Sequence, residues 1–308
     1  TISAQSGLGK SALALRMAAH IVKGDLLFGC EVQRPGGVLV LAAEGSEEID
    51  PRYEALRVRG LVGADAPIAY ASSVPRMLDD NAQQEIEKRI LEGIHRISTE
   101  FNKEVVLLIV DTVAAAASFK NENDNAEAQI LMKFIRKLAQ KFDFLVLLID
   151  HVAKNGEYRG SRGASSKDAA ADARIMLKKN DELVSISLDK LRSGSKGDLG
   201  HFKIVPVEYM KDDKGLPVTS AFAEFAIPST KVSRAGFDDA SKVISQLGQI
   251  VPGSNGNPAI PLAILVKEMH SIKGTSSNKD SIAKQVTRLI QVGLLIQVND
   301  REKNVYIS

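Results

Sequence analysis

Short apolar runs alternate with amphipathic stretches over the first half of the chain. The runs at 37–44, 104–113 and 144–152 are continuous and rich in Val, Ile and Leu, a pattern typical of parallel strands buried on both faces. Between them, residues 81–97 and 125–142 carry apolar side chains at helical spacing. This alternation predicts an α/β fold with a mostly parallel central sheet and helices on both of its faces.

Further apolar segments follow without helices between them, at residues 173–179, 182–192 and 201–210. Because no crossover helix separates these segments, they predict strands that continue the same sheet in an antiparallel arrangement. The alternating runs and these strands together predict one large domain over residues 1–225.

The alternation ends near residue 225. Residues 226–235 are predicted to form a linker, because the composition shifts there to the segment AIPSTKVSRA, which has neither the apolar runs nor the helical spacing of the preceding chain. Beyond the linker the pattern predicts helices and then a hairpin that turns at Asn299 and Asp300; the helices are expected at 237–248, 260–271 and 278–292. Helices followed by a hairpin are the order of a winged helix, so residues 236–308 are predicted to form a small winged-helix domain.

Composition narrows the class of protein. No stretch approaches eighteen uninterrupted apolar residues, so no membrane span is predicted. The single Cys30 excludes an intramolecular disulfide and fits a cytoplasmic location. A net charge of +2 does not by itself indicate nucleic acid, and the absence of Trp argues against broad base-stacking platforms. Because the chain begins with Thr1, we expect a fragment in which the first central strand is nearly absent.

The segment AQSGLGKS at Ala4–Ser11 fits the Walker A pattern, with Ala4 in place of the first glycine. Such glycines let the backbone N–H groups surround a phosphate at the start of a helix. Lys10 is expected to bring positive charge to the β- and γ-phosphates, and Ser11 to ligate Mg²⁺. The residues predicted to bind ATP are Ser6, Gly7, Leu8, Gly9, Lys10, Ser11 and Ala12. The alternative is a glycine-rich turn before an ordinary helix.

Two carboxylates are candidates for the chemistry beside such a loop. Asp111 closes the apolar run 104–113 and is predicted to be the second Mg²⁺-side group; the alternative is a helix cap. Thr112 follows it and cannot act as a base. Glu44 ends the strand that follows the first helix, and it is predicted to polarise the attacking water. The alternative for Glu44 is a surface cap before a turn.

These positions resemble the RecA/DnaB-like branch of P-loop ATPases. The segment HVAKNGEYRGSRGASSKDAAADAR at 151–174 resembles the HHxxK…RGSS…D…R signature of RepA-like hexameric helicases and the related AAA-25 family. The resemblance implies a RecA-like ATPase domain in which His151 senses the γ-phosphate. It departs from the pattern at Asp150, where the usual first His is replaced, and at Ala164, where Ser is common.

The resemblance also assigns a role to Lys190 and Arg192. They lie two residues apart on a predicted strand and should share one face. In the hexameric helicases a similar pair reaches the γ-phosphate of a neighbouring subunit and stabilises transition-state charge. It therefore implies a homo-oligomer, with a hexameric ring expected. The alternative is a solvated basic end of a strand.

Basic residues suggest where DNA could bind. The segment 154–167 places cations among glycines and serines, and could grip phosphates as a DNA contact or serve a subunit interface; the cations are Lys154, Arg159, Arg162 and Lys167. An ordinary surface loop is the alternative. The C-terminal module 231–308 has ten basic and six acidic residues.

The third C-terminal helix has two distinct faces in sequence. Its basic residues lie on roughly one exposed side and could face a major groove; they are Lys279, Lys284 and Arg288. Its other side is predicted to be buried through Ile282, Val286, Leu289 and Ile290. Protein interaction is the alternative use of such a domain.

Together the motifs predict an ATPase that uses ATP and Mg²⁺ and acts on DNA. The resemblance implies a RepA-like replicative DNA helicase of a phage, plasmid or other mobile element. Two alternatives stay open at this point: an ATP-controlled DNA-binding regulator or loader that does not unwind, and a recombinase-like filament former.

Overall fold

The computed structural model describes residues 1–121, 124–152, 165–180, 182–226, 234–250, 258–273, 282–283, 286–287, 289–290, 295–297 and 304–307. By their contacts, the residues divide into two compact units. The first comprises Thr1–Asp25, Val32–Asp198 and Lys203–Glu224; the second comprises Leu26–Glu31, Leu199–Phe202 and Phe225–Ser308. The domain bounds 1–225, 226–235 and 236–308 stay a prediction, and most of the expected linker lies outside the described residues.

A nine-stranded sheet organises the larger unit. Its strands are β1 (Ile2–Ala4), β2 (Gly37–Ala42), β3 (Ile68–Ala71), β4 (Val105–Asp111), β5 (Leu145–His151), β6 (Ala173–Asn180), β7 (Leu183–Leu191), β8 (Gly197–Lys211) and β9 (Pro217–Ala226). They lie in the order β3-β2-β4-β5-β1-β6-β7-β8-β9. Neighbours from β3 to β6 are parallel, and β6 and β7 are antiparallel. The predicted α/β class with a mostly parallel central sheet is confirmed.

Helices cover this sheet. They are α1 (Lys10–Lys23), α2 (Ile49–Val58), α3 (Asp80–Phe101), α4 (Val113–Ala117), α5 (Asn125–Phe142) and α6 (Ser165–Ala170). Helices α3 and α5 share a core with alternate residues of β2, β4 and β5, including Leu39, Leu108 and Leu148. The residues between those alternate positions, such as Val40 and Ile109, are also buried, and α1 packs against β1, β2 and β4. The strands are therefore buried on both faces, as their continuous apolar runs predict.

Three strands differ from expectation. The strand expected to be nearly absent is β1, which is three residues long, fully buried and paired with both β5 and β6. The Thr1 nitrogen before it donates a hydrogen bond of 2.8 Å to the Ala173 carbonyl. The edge strands β3 and β9 were not predicted. Strand β3 is partly exposed throughout and β9 is buried only near its middle, so neither produces a continuous apolar run.

The smaller unit contains helices and an antiparallel sheet. Its elements are α7 (Arg234–Leu247), β10 (Gln249–Ile250), β11 (Pro258–Pro261), α8 (Leu262–Lys273), β12 (Leu295–Gln297) and β13 (Asn304–Ile307). The strands pair antiparallel in the order β10-β11-β13-β12, and β10 and β11 were not predicted. The residues expected to face inward on the third helix, Ile282, Val286, Leu289 and Ile290, are buried. The winged-helix identity stays a prediction, and its turn at Asn299 and Asp300 lies outside the described residues.

Within the described part of the chain, none of the helices is long and apolar enough to cross a membrane.

Candidate functional site

The phosphate loop joins the end of β1 to the start of α1. Gly7 and Gly9 have φ angles of +80° and +77°, in the left-handed region. A methyl group added at Gly7 would meet no atom within 4 Å, so backbone conformation and not crowding requires glycine there. Helix α1 begins at Lys10. Its first N–H groups have no partner within the helix, and they are the groups that can bind a phosphate.

Lys10 is buried at the base of this loop, with 6% of its surface exposed. Its Nζ donates to the carbonyl oxygens of Gln5 and Ala4, at 3.1 and 3.5 Å, and lies 3.2 Å from Nδ1 of His151. Burial lowers the pKa of Lys10 from its usual value, and the negative charges of Asp111, Asp150 and Glu44 partly oppose this shift. The side chain is thus a desolvated cation near the phosphate loop.

The two predicted Mg²⁺ ligands lie together. Ser11 donates a side-chain hydrogen bond to Asp111, which is the last residue of β4. Burial raises the pKa of Asp111, while the Ser11 hydrogen bond and the positive charge of Arg52 on α2 lower it. A hydroxyl and one carboxylate are oxygen ligands that suit Mg²⁺, which usually takes its remaining ligands from phosphates and water. The sequence indicated neither Arg52 nor its effect on Asp111.

Glu44 lies beside Asp111 because β2 and β4 are adjacent. The backbone N–H groups of Ala43 and Glu44 donate to the Asp111 carbonyl, at 2.7 and 3.1 Å. The Thr112 hydroxyl donates to Oε2 of Glu44 at 2.9 Å, and Thr112 is 5% exposed. Thr112 therefore holds one carboxylate oxygen of Glu44 in place. The sequence excluded Thr112 as a base but did not indicate this positioning contact.

His151 ends β5, where its backbone pairs with Ala4 of β1. Its Nδ1 lies 3.2 Å from both Ser6 Oγ and Lys10 Nζ. Its backbone N–H donates to Oδ1 of Asp150 at 2.9 Å. The imidazole therefore contacts the phosphate loop directly.

The site forms at the carboxyl ends of four neighbouring strands, in the order β2-β4-β5-β1. Glu44 follows β2, Asp111 ends β4, His151 ends β5 and the phosphate loop follows β1. Ligands of open α/β sheets bind at this edge of the sheet. The arrangement can hold a polyphosphate at the loop, an Mg²⁺ ion beside it and a water molecule against a carboxylate.

Lys190 and Arg192, which are predicted to reach a neighbouring subunit, lie near the end of β7. Lys190 Nζ donates to the carbonyl oxygen of Ala169 at 3.0 Å, and Arg192 forms an exposed ion pair of 3.1 Å with Asp172. The prediction that both lie on one strand is wrong, because β7 ends at Leu191. Opposite this end of β7, the pairing register of β6 with β7 shifts between Arg174 and Ile175.

Lys167 does not fit the predicted DNA contact. It lies on α6, is 4% exposed, and its Nζ is 2.7 Å from Oδ2 of Asp150. A buried ammonium group that is already paired with a carboxylate cannot meet a DNA phosphate in this arrangement. The other predicted DNA or interface residues lie outside the described residues: Lys154, Arg159, Arg162, Lys279, Lys284 and Arg288.

The part of the chain that contains these residues matches a known family. The AAA-25 family model, described as an AAA domain, matches residues 1–157 and so contains the phosphate loop, Glu44, Asp111 and His151. No curated protein matches the sequence. Among solved structures, the chain is similar to one described as an ATPase domain, with 13% identity over 66% of this chain and 80% of that one and a TM-score of 0.48.

Proposed function

Because the chain belongs to the AAA-25 family of AAA domains, we propose that it is a RepA-like ATPase that couples ATP hydrolysis to work on DNA. We propose further that it is a replicative helicase of a phage, plasmid or other mobile element. One observation carries the ATPase part: the phosphate loop, Asp111, Glu44 and His151 meet at adjacent strand ends of one sheet.

Binding of ATP depends on the positive charge of Lys10, which is already shielded from water in the folded protein. The N–H groups at the start of α1 bind the β-phosphate, and Lys10 contacts the β- and γ-phosphates from within the loop. A phosphate oxygen replaces weaker carbonyl partners of the Lys10 ammonium, which are 3.1 and 3.5 Å away. Mg²⁺ held by Ser11 and Asp111 would neutralise charge that develops on the phosphates.

Hydrolysis requires a base for the attacking water. Glu44 accepts a proton from the water as the water oxygen bonds to the γ-phosphorus and the bond to the ADP oxygen breaks. Thr112 holds Oε2 of Glu44 at 2.9 Å, and we assign the contact with the water to Oε1. His151 contacts Ser6 and Lys10, and loss of the γ-phosphate would therefore change its surroundings.

Lys190 and Arg192 are proposed to complete the active site of a neighbouring subunit. Arg192 is 58% exposed and its partner Asp172 is 76% exposed, so this ion pair is weak and easily exchanged for a phosphate. The proposal requires a homo-oligomer, and we propose a hexameric ring. Single-stranded DNA would then pass through the ring, and the C-terminal module would bind duplex DNA.

The direct test is the rate of ATP hydrolysis with Mg²⁺, with and without single-stranded DNA, for the wild type and for Glu44→Gln. Loss of a general base lowers turnover by about 10²- to 10⁴-fold, while ATP binding stays intact. Stimulation by single-stranded DNA is expected of a motor. If Glu44→Gln hydrolyses ATP at the wild-type rate, the assignment of the base is wrong.

Strand separation distinguishes the helicase from its alternatives. A partly single-stranded duplex should be unwound only with ATP, and Arg192→Ala should remove unwinding while ATP still binds. An ATP-controlled regulator or loader, or a recombinase-like filament former, predicts ATP-dependent DNA binding without unwinding. That result would overturn the helicase proposal and leave the ATPase proposal in place.

A further inference from the structure

A buried ion pair lies behind the proposed sensor residue. Lys167 of α6 and Asp150 of β5 approach to 2.7 Å, and both side chains are only 5% exposed. The mechanism above gives neither residue a role. Burying two charges is costly, and hydrophobic residues of similar volume often stabilise such a position equally well. Its presence beside a catalytic site therefore suggests a purpose other than stability.

Asp150 connects this ion pair to the phosphate loop. While its Oδ2 accepts from Lys167, its Oδ1 accepts from the backbone N–H of His151 at 2.9 Å. The His151 ring then reaches Ser6 and Lys10, each at 3.2 Å. A continuous series of polar contacts thus runs from α6 to the lysine of the phosphate loop.

Helix α6 also contacts the segment after β4 and the end of β7. The Lys167 ammonium lies 5.4 Å from the ring centroid of Phe119, which comes shortly after Asp111 and α4. The carbonyl of Ala169, two residues along, accepts from Lys190 at 3.0 Å. One short helix therefore contacts the segment after β4, the last residues of β5 and the end of β7.

We propose that Lys167 and Asp150 are a positioning pair, which fixes His151 against the phosphate loop and makes α6 move together with the sensor end of β5. The physical reason is the burial of both charges, because a displacement of α6 that keeps the contact closed to water would leave each buried charge without its counter-charge. The pair thereby links His151 to Lys190. The role of His151 toward the γ-phosphate rests on the proposed function; the positioning of His151 does not.

A double-mutant cycle tests the pair. The variants are Asp150→Asn, Lys167→Met and the two combined; Asn keeps an oxygen that can accept from the His151 N–H. Each is expected to lower kcat by about 10- to 100-fold, since small misplacements of a catalytic group have effects of this size, with the Kd for ATP unchanged. The combined variant should lose no more than the worse single variant, because the two residues act through each other.

The control is another ion pair of the same length. Lys137 on α5 lies 2.7 Å from Glu87 on α3, but its side chain is 61% exposed. Lys137→Met should leave kcat, Kd and the His151 signal unchanged. The combined variant also covers the case in which a single variant does not fold, because it removes both charges together.

A second readout does not depend on turnover. The ¹⁵N resonances of the His151 ring, assigned with a His151→Asn variant, should shift in the combined variant and stay unchanged in Lys137→Met. Additive losses of kcat, or an unchanged His151 resonance in the combined variant, would overturn the positioning pair. A wild type without ATP hydrolysis would instead overturn the proposed function, while the resonances would still decide on the pair.

Discussion

The phosphate loop and helix α6 each bury one lysine, and the two lysines are used in opposite ways. Lys10 and Lys167 are 6% and 4% exposed. Lys167 lies 2.7 Å from a carboxylate oxygen. The described hydrogen-bond partners of Lys10 are two backbone carbonyls and an imidazole nitrogen. One lysine has its charge compensated within the fold, and the other keeps its charge available for an anionic ligand.

The charges of the two aspartates near these lysines differ in the same way. Burial lowers the pKa of Lys10 and raises that of Asp111, so the folded protein disfavours the charged form of both groups. A base with a lowered pKa and an acid with a raised pKa contribute no stability near pH 7, and neutral substitutes should not harm folding. Asp150, by contrast, is compensated by Lys167. In the proposed function, Lys10 and Asp111 bind ATP and Mg²⁺, whereas Asp150 and Lys167 position His151.

The largest expected effect comes from breaking the compensated pair. Lys167→Met leaves the Asp150 charge buried without its lysine partner, and should lower the free energy of unfolding by about 3–5 kcal/mol. Asp150→Asn should have an effect of the same sign, because it removes the carboxylate that compensates Lys167. Chemical denaturation at pH 7 measures both. A combined variant as unstable as the sum of the two would show that the charges do not compensate each other.

Replacing Lys10 should separate activity from stability. Lys10→Met removes the charge but keeps the apolar stem, so the rate of ATP hydrolysis should fall by about 100- to 1000-fold, as for other preorganised electrostatic groups. The free energy of unfolding should not fall, since the lowered pKa of Lys10 means that its charge adds no stability at pH 7. Turnover and denaturation on the same samples test this. A large loss of stability would show that the charge of Lys10, like that of Lys167, stabilises the fold.

The two aspartates provide a sharper form of the comparison. Asp111→Asn retains an acceptor for Ser11 and should raise the free energy of unfolding in Mg²⁺-free buffer, because the raised pKa of Asp111 means that its stabilising contribution is lost as the pH rises through that pKa. Asp150→Asn should lower it. Thermal denaturation of both variants at pH 7 compares the signs. Equal destabilisation by the two substitutions would show that Asp111 and Asp150 do not differ in how their charges affect stability.

The smallest effect is expected at the ion pair of Lys137 and Glu87, in which the lysine is largely exposed. The pKa of Glu87 is lowered by hydrogen bonds from Lys137 and Lys141, but Lys137 is 61% exposed. Exposed pairs contribute less than about 1 kcal/mol, so Lys137→Met should change the free energy of unfolding by no more than that. Denaturation beside Lys167→Met measures the contrast between an exposed and a buried lysine. Similar losses in the two variants would show that burial does not matter here.

The sequence predicted those parts of the site that lie in contiguous motifs or at strand ends. Gly7–Ser11 is a local pattern, and Glu44, Asp111 and His151 follow continuous apolar runs. Parallel strands with crossover helices bring their carboxyl ends to one edge, so the proximity of these residues could be inferred without coordinates. Their chemical roles stay predictions.

The remainder depends on tertiary contacts that leave no local pattern. Lys167 lies among Gly and Ser in the sequence, which predicts a DNA or interface contact, but α6 packs it against Asp150, seventeen residues earlier. Asp150 itself was interpreted only as a departure from the family pattern. Thr112 was excluded as a base, while its hydroxyl holds Glu44. The sequence predicts that Arg192 lies on the same strand as Lys190, but β7 ends one residue before it, at Leu191.

The most direct test of the central claim is the steady-state rate of ATP hydrolysis by the wild type and Lys10→Met, measured with Mg²⁺ at a temperature where both are folded. We predict hydrolysis by the wild type and a rate in the variant that is lower by about 100-fold or more. Equal rates in the two proteins would contradict the claim that the phosphate loop at the end of β1 is the site of ATP hydrolysis.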